Sequence, residues 1–338
     1  MFVERELTVP GEPALSGTLS LPAKITGTVS GSAASGYPAI LFIHGSGPLD
    51  RNENTWFAKM NIFNTLASEL SKIGFASFRY DKRGKGKSKG SYIKAGLWDL
   101  VGDATRALDL LKNQPEVDPK HIILLGHSEG CLIAPLVAQR ESVAGMILLM
   151  APADRVDMVV GYQSQMMQSA IESIKGITGS IARFQIRIQY GTKKIAQATE
   201  RLLTKIREST KPVIRFRLGR VNAKWYREHM NINPREIYSS VKCPVLIVNG
   251  SKDVQVRPED AKTISELVKG PCEWHIIEGM THLLRKDPRE GPPILHYKKL
   301  IKEKMDPEIA QLITSWLQRN FAKEETPLIL RPIGDCSS

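Results

Sequence analysis

A serine set between two glycines, where an apolar strand-like run gives way to an apolar helix-like run, constrains this chain more than any other feature. Gly126-His127-Ser128-Glu129-Gly130 follows His121-Ile122-Ile123-Leu124-Leu125 and precedes Cys131-Leu132-Ile133-Ala134-Pro135-Leu136-Val137-Ala138. A side chain at either glycine would collide with the neighbouring strand and helix, so the pattern fits a sharp strand-to-helix turn that leaves the Ser128 hydroxyl proud of the sheet edge. A chain of this composition carries roughly 0.15 Gly-x-Ser-x-Gly matches by chance, so context must decide.

The context agrees. Downstream, the apolar run Val245-Leu246-Ile247-Val248 breaks into Asn249-Gly250-Ser251-Lys252-Asp253, and Trp274-His275-Ile276-Ile277 runs into Glu278-Gly279-Met280-Thr281-His282. Ser128, Asp253 and His282 therefore fall just past the ends of three expected strands, where open α/β sheets place their ligands, and in the order Ser, Asp, His. A serine hydroxyl is a weak nucleophile until a base takes its proton, and an oriented imidazole is the usual base. The chemistry this pattern points to is acyl transfer. The negative charge that forms on the substrate carbonyl needs amide donors: the Glu129 N–H directly after the nucleophile, and the Ser46 N–H in His44-Gly45-Ser46-Gly47, with Gly47 as the near alternative. Other acids and bases fit less well. Glu259 and Asp260 lie beyond Pro258 at an expected helix start, where carboxylates favour the dipole for structural reasons. Asp287 also competes with Asp253. His275 sits inside an apolar strand, His296 follows Pro292-Pro293-Ile294-Leu295, and His44 and His127 read as loop scaffolding. Asp81 and Arg83, joined by Glu129, are expected to brace the loop beside the turn by ion pairing.

Along the chain, Glu6–Val9 and Leu15–Leu21 read as an antiparallel hairpin at a sheet edge, and Thr26–Gly36 as a loop. Strands at Tyr37–His44, Phe75–Tyr80 and Gly145–Met150 alternate with helices at about Ile62–Ile73 and Leu97–Lys112. That alternation predicts an α/β fold with a doubly wound, mostly parallel sheet. It stops after Met150. Apolar residues then recur at helical spacing from Val159 to Ile174, from Ile181 to Ile206 with a break near Gly191, and from about Pro212 through Leu218, Val221, Trp225 and Met230. The expected division is core over 1–151, an inserted helical cap over 152–240, core again over 241–322 and a tail over 323–338. Met166 and Met167, whose thioethers repack readily, and Trp225 are candidate substrate contacts, although the same residues would serve equally as the packing of the cap itself.

These segments resemble the α/β-hydrolases, and within them the EstD-like bacterial carboxylesterases grouped with serine-aminopeptidase-type and dienelactone-hydrolase-type sequences. The resemblance rests on His44-Gly45-Ser46-Gly47-Pro48 with Asp50-Arg51-Asn52-Glu53, Arg79-Tyr80-Asp81-Lys82-Arg83-Gly84 with Gly86-Lys87-Ser88, Gly126 to Gly130, Asn249-Gly250 with Lys252-Asp253 and Gln255-Val256, and His282-Leu283. It spans residues 44 to 283 but not the segment between about 152 and 240. It implies an α/β-hydrolase fold and hydrolysis of a carboxylic ester or lactone through an acyl-enzyme. Cys131 stands where that family usually has another glycine, and is expected to narrow the pocket. The same triad also serves a thioesterase, an acyltransferase or a small-peptide hydrolase.

Charge sharpens the list of partners. The chain carries a net +12, and between Arg183 and Arg227 thirteen lysines and arginines face only Glu200 and Glu208. A basic cap can draw in an anionic ester or thioester, and a binding protein using that cap to recruit an anionic partner is the reading outside catalysis. No nucleic-acid motif accompanies the charges. Lys82-Arg83-Gly84-Lys85-Gly86-Lys87-Ser88-Lys89 lacks the spacing of a phosphate loop. The four cysteines, 131, 243, 272 and 336, are scattered without metal-like spacing, so no metal or cofactor is expected. The charged start Met1-Phe2-Val3-Glu4-Arg5-Glu6 lacks a signal-type apolar stretch, and no run approaches a transmembrane span; a cytoplasmic protein is the expectation. Oligomeric state is left open by the sequence.

Overall fold

The structure is a computed structural model, and it describes residues 2–23, 36–177, 179–181 and 195–321. Most of the expected loop over 26–36, nearly all of the first half of the second expected cap helix and the tail over 323–338 lie outside the described residues.

Period-two apolar strands explain the sheet. In β3 (Tyr37–Ile43), Ala39, Leu41 and Ile43 face one side and Ile40 and Phe42 the other. The same split divides β5 (Val117–His127), β6 (Gly145–Leu149) and β9 (Val245–Gly250), with Leu124, Leu148 and Ile247 on one side against Leu125, Leu149 and Val248. Both faces are buried, which is why these strands read as unbroken apolar runs. One face is covered by α2 (Leu97–Lys112), α3 (Gly130–Ala138) and α8 (Asp260–Leu267). The other is covered by α1 (Ile62–Lys72) and α9 (Pro307–Phe321). With β1 (Phe2–Val9), β2 (Leu15–Pro22), β4 (Ala76–Tyr80) and β10 (Cys272–Ile277), the sheet has eight strands in the order β1-β2-β4-β3-β5-β6-β9-β10. β1 and β2 pair antiparallel, as does β2 with β4, and the remaining pairs are parallel. This is the doubly wound α/β architecture that the alternation predicts.

Between β6 and β9 the chain leaves the sheet. α4 (Val156–Ser173) and α5 (Ile195–Glu208) match the first two helical readings where they are described. The third is corrected: Val213–Phe216 and Gly219–Asn222 form an antiparallel hairpin, β7 and β8, before α6 (Ala223–Met230) begins. The reason is local. Ile214 and Val221 are partners across the hairpin and pack with Ile206 and Ala223 in a small separate core, so a period of two was taken for part of a helical one. α7 (Pro234–Ser239) leads back to β9. Among the described residues, no helix is long and apolar enough to cross a membrane.

Candidate active site

Ser128 occupies the turn between β5 and α3 with φ of 52°, in the left-handed region that a non-glycine residue enters only when its surroundings fix it. The flanking glycines fix it here. A Cβ on Gly126 would lie 2.4 Å from the Gly130 carbonyl oxygen, and one on Gly130 would lie 2.1 Å from the Ile43 carbonyl oxygen. Strand, turn and helix approach so closely that side chains are excluded, and the Ser128 N–H bonds the Leu149 carbonyl at 2.9 Å. Cys131 is turned away from the rim. It is fully buried, and its thiol contacts the Gly126 and Leu149 carbonyl oxygens at 3.3 and 3.2 Å, so the structure replaces the expected narrowing of a pocket with a side chain locked beneath the turn.

Asp253 and His282, just past the ends of β9 and β10, are brought together. His282 Nδ1 lies 2.7 Å from Asp253 Oδ2, while Asp253 Oδ1 accepts the N–H groups of Gln255 and Val256 at 2.7 and 3.0 Å. The carboxylate is thereby fixed and the imidazole given its orientation. His282 is in turn anchored beside the Ser128 turn: its carbonyl accepts from Nε2 of His127, the residue before Ser128, and the two rings lie tilted at 40° with centroids 5.1 Å apart. His127 Nδ1 makes a close ionic contact, 2.7 Å, with the fully buried Glu53. Burial opposes charge on this histidine, but the Glu53 carboxylate prevails and raises its pKa; the same contact, with the Gly45 N–H, holds Glu53 below its ordinary range against the cost of burial.

The loop 44–47 has its polar groups assigned one by one. The Gly45 N–H donates to Glu53 at 2.7 Å, the Gly45 carbonyl accepts from Lys82 Nζ at 2.5 Å, and the Gly47 N–H donates to the Tyr92 hydroxyl at 2.7 Å. Among the described residues, the amides of Ser46 and Glu129 have no acceptor within the chain. Gly47, the near alternative in the sequence, is already committed.

The Glu129 side chain is buried, and Lys82 Nζ lies 2.9 Å from its Oε2. Its Oε1 accepts from the Trp225 indole N–H and lies 3.2 Å from His229 Nε2, both on α6. Burial alone would raise this carboxyl, but the Lys82 charge and the α6 contacts bring it down to about 2. Trp225, a candidate substrate contact, is thus bound to the turn itself. Met166 and Met167 are half-buried on α4, whose neighbouring Tyr162 and Gln163 bond the carbonyls of Asp253 and Gln255 at 3.3 and 3.1 Å.

The rival acids and bases lie elsewhere. Asp260 caps the Ala153 amide, and burial raises it to about 6. Asp287 pairs with His296 and Arg289, and His275 with Glu273. His44 is enclosed between Phe63 and Tyr80, where burial, aided by Lys82, lowers its pKa to about 4. Asp81 pairs with Arg51, and Arg83 with Asp103, so the expected brace forms through separate partners. Sequence reading gave no role to Tyr92, and none to Lys82 or Glu53, which appear there only within the segments that carry the resemblance and, for Lys82, the basic run. Lys82 did carry a signal: it follows a strand at the same C-terminal edge as the triad candidates. An open groove of about 1230 Å³ beside Phe57, Met60, Ile301 and Ala310 contains none of the site residues and takes no part in this geometry. Among the described residues, no group of three or more His, Cys, Asp or Glu is arranged to hold a metal.

Comparison with known proteins bears on this geometry. The sequence pattern of the family described as serine aminopeptidase, S33, matches residues 57–289. Esterase EstD of Thermotoga maritima is 26% identical over 318 residues, 94% of this chain and 68% of that protein. Among solved structures, Est1E of Butyrivibrio proteoclasticus with bound ferulic acid superposes with a TM-score of 0.60 at 18% identity, covering 94% of this chain and all of that one. The α/β-hydrolase GrgF from a Penicillium species gives a TM-score of 0.58 at 18% identity, over 96% of this chain and all of that one. The structural likenesses establish an α/β-hydrolase fold.

Proposed function

The chain belongs to the serine aminopeptidase S33 family, and on that premise we propose that it hydrolyses a small carboxylic ester through an acyl-enzyme. Ser128 Oγ attacks the ester carbonyl and passes its proton to His282, which Asp253 holds in the required tautomer. The Ser46 and Glu129 amides receive the oxyanion. Collapse expels the alcohol, which takes the proton from His282. Water then repeats the sequence on the acyl-enzyme, releases the acid and restores Ser128. The observation that carries this reading is the 2.7 Å Asp253–His282 contact, anchored through His127 to a left-handed Ser128.

Residues 152–240 act as the cap that selects the substrate, with α4 over the Asp253 loop and α6 on Glu129. An ester is favoured over a peptide because Glu129, the acid beside the nucleophile, is neutralised by Lys82 and so cannot receive a substrate's ammonium group. The basic residues of the cap favour an anionic acyl or alcohol part, and lactones fall within the same chemistry. Fluorophosphonate labelling tests the proposal. The wild type should be labelled and Ser128→Ala should not; an unlabelled wild type would leave a binding role for the cap. A panel of p-nitrophenyl esters, acyl-CoAs and aminoacyl anilides then separates ester, thioester and peptide hydrolysis.

A further inference from the structure

The two amides that receive the oxyanion in the proposed reaction share a support that is neither in the triad nor in the loop 44–47. Lys82, two residues past β4, is 3% exposed. Its ammonium donates to the Gly45 carbonyl at 2.5 Å and to Glu129 Oε2 at 2.9 Å, and lies 5.3 Å from the centre of the Tyr92 ring. Three contacts match the three N–H bonds of an ammonium group, so this cation is committed to the protein rather than to a ligand.

Its two oxygen partners belong to the two segments that carry the donors. The Gly45 carbonyl and the Ser46 N–H are opposite ends of one planar peptide unit and point in opposite directions. A cation on the carbonyl therefore fixes the direction of the Ser46 N–H, and by polarising the conjugated unit strengthens that N–H as a donor. At the other segment the same ammonium fixes the Glu129 side chain, and so the residue whose N–H follows the nucleophile. We propose that Lys82 is a positioning residue for ester hydrolysis, setting the mutual geometry and donor strength of the Ser46 and Glu129 amides. This rests on the acyl-enzyme reading above and deepens it. A charge that only stabilised the fold would leave the transition state untouched; one that aims the donors acts on it selectively.

Removing an oxyanion donor outright costs about 10²- to 10³-fold in rate, so misdirecting the donors should cost about 10- to 100-fold. In Lys82→Met, kcat should fall by that factor with KM within about twofold, since the donors bind charge that develops only in the transition state. Affinity for a trifluoromethyl ketone analogue of the substrate should fall in step with kcat/KM. Because Glu129 left without its cation can unfold the protein, the double variant Lys82→Met/Glu129→Gln removes both charges and keeps an acceptor for Trp225. It should fold and show the same loss. A double variant with kcat and analogue affinity within about twofold of wild type, or a loss confined to KM or to melting temperature, would overturn the proposal. Loss of labelling in Ser128→Ala with unchanged Lys82 variants would sink this inference alone; persistent labelling in Ser128→Ala would sink the underlying reading.

Discussion

Replacing Glu53 should separate a buried ion pair from the rest of the site. Glu53 is fully enclosed, with Oε1 on the Gly45 N–H and Oε2 on His127 Nδ1, each at 2.7 Å. His127 Nε2 faces the His282 carbonyl, which can only accept. With Glu53 ionised, as its lowered pKa favours, both ring nitrogens carry protons and the pair is carboxylate with imidazolium. Glu53→Ala strands that charge and the Gly45 amide together, and should cost about 3–5 kcal/mol. Glu53→Gln keeps an acceptor for Gly45 and offers an N–H to a neutral His127, so it exchanges a charged contact for a neutral one at about 1–2 kcal/mol. The pH dependence follows from the directions of the shifts. His127 is raised above its ordinary 6.5, so its contribution is complete below that pH and fades as pH rises through the folded value. Glu53 is lowered below its ordinary 4.5, so its contribution is complete above that pH and fades as pH falls through the folded value. The gap between wild type and Glu53→Gln should thus be widest between 4.5 and 6.5 and narrow towards about pH 9. Urea unfolding of both proteins at about pH 5.5 and about pH 9 measures it. An equal gap at both values, or a cost below about 1 kcal/mol for Glu53→Ala, would refute the ion pair.

Two further outcomes follow from buried contacts near the turn. Trp225→Phe keeps the ring but removes the indole donor to Glu129, and should lower unfolding free energy by about 1.5–3 kcal/mol in urea titrations, the usual worth of a hydrogen bond to a charged group. Burial pushes the Cys131 thiol well above its usual range, so it should stay unmodified by a disulfide reagent under native conditions and react fully once the chain is unfolded. Mass spectrometry of peptides spanning 131, against those holding the half-buried Cys243 and Cys272, reads this directly.

The residues expected to carry chemistry were legible because each ends an apolar run. Strand periodicity locates Ser128, Asp253 and His282 at one sheet edge, and glycine sterics shape the turn. The polar contacts that hold them were not legible, since they join residues distant in the chain. Glu53 and Gly45 are near in sequence, but His127 joins them only through the pairing of β3 with β5. Lys82 follows β4 at that same edge, but it stands in a run of lysines and arginines, and its burial, which tertiary structure alone supplies, is what sets it apart. The β7–β8 hairpin was masked for another reason: four-residue strands around a short turn carry too few residues for a period of two to stand apart from helical spacing.

Trp225 reaches the turn from α6, in the excursion least like a motif, yet its indole closes on a carboxylate one residue from Ser128. If residues 152–240 act as the proposed cap, that segment would hold the turn beneath it in place as well as select what enters. Grafting this excursion onto another hydrolase, or a foreign one onto this core, would disturb turnover along with selectivity unless an equivalent donor travelled with the graft.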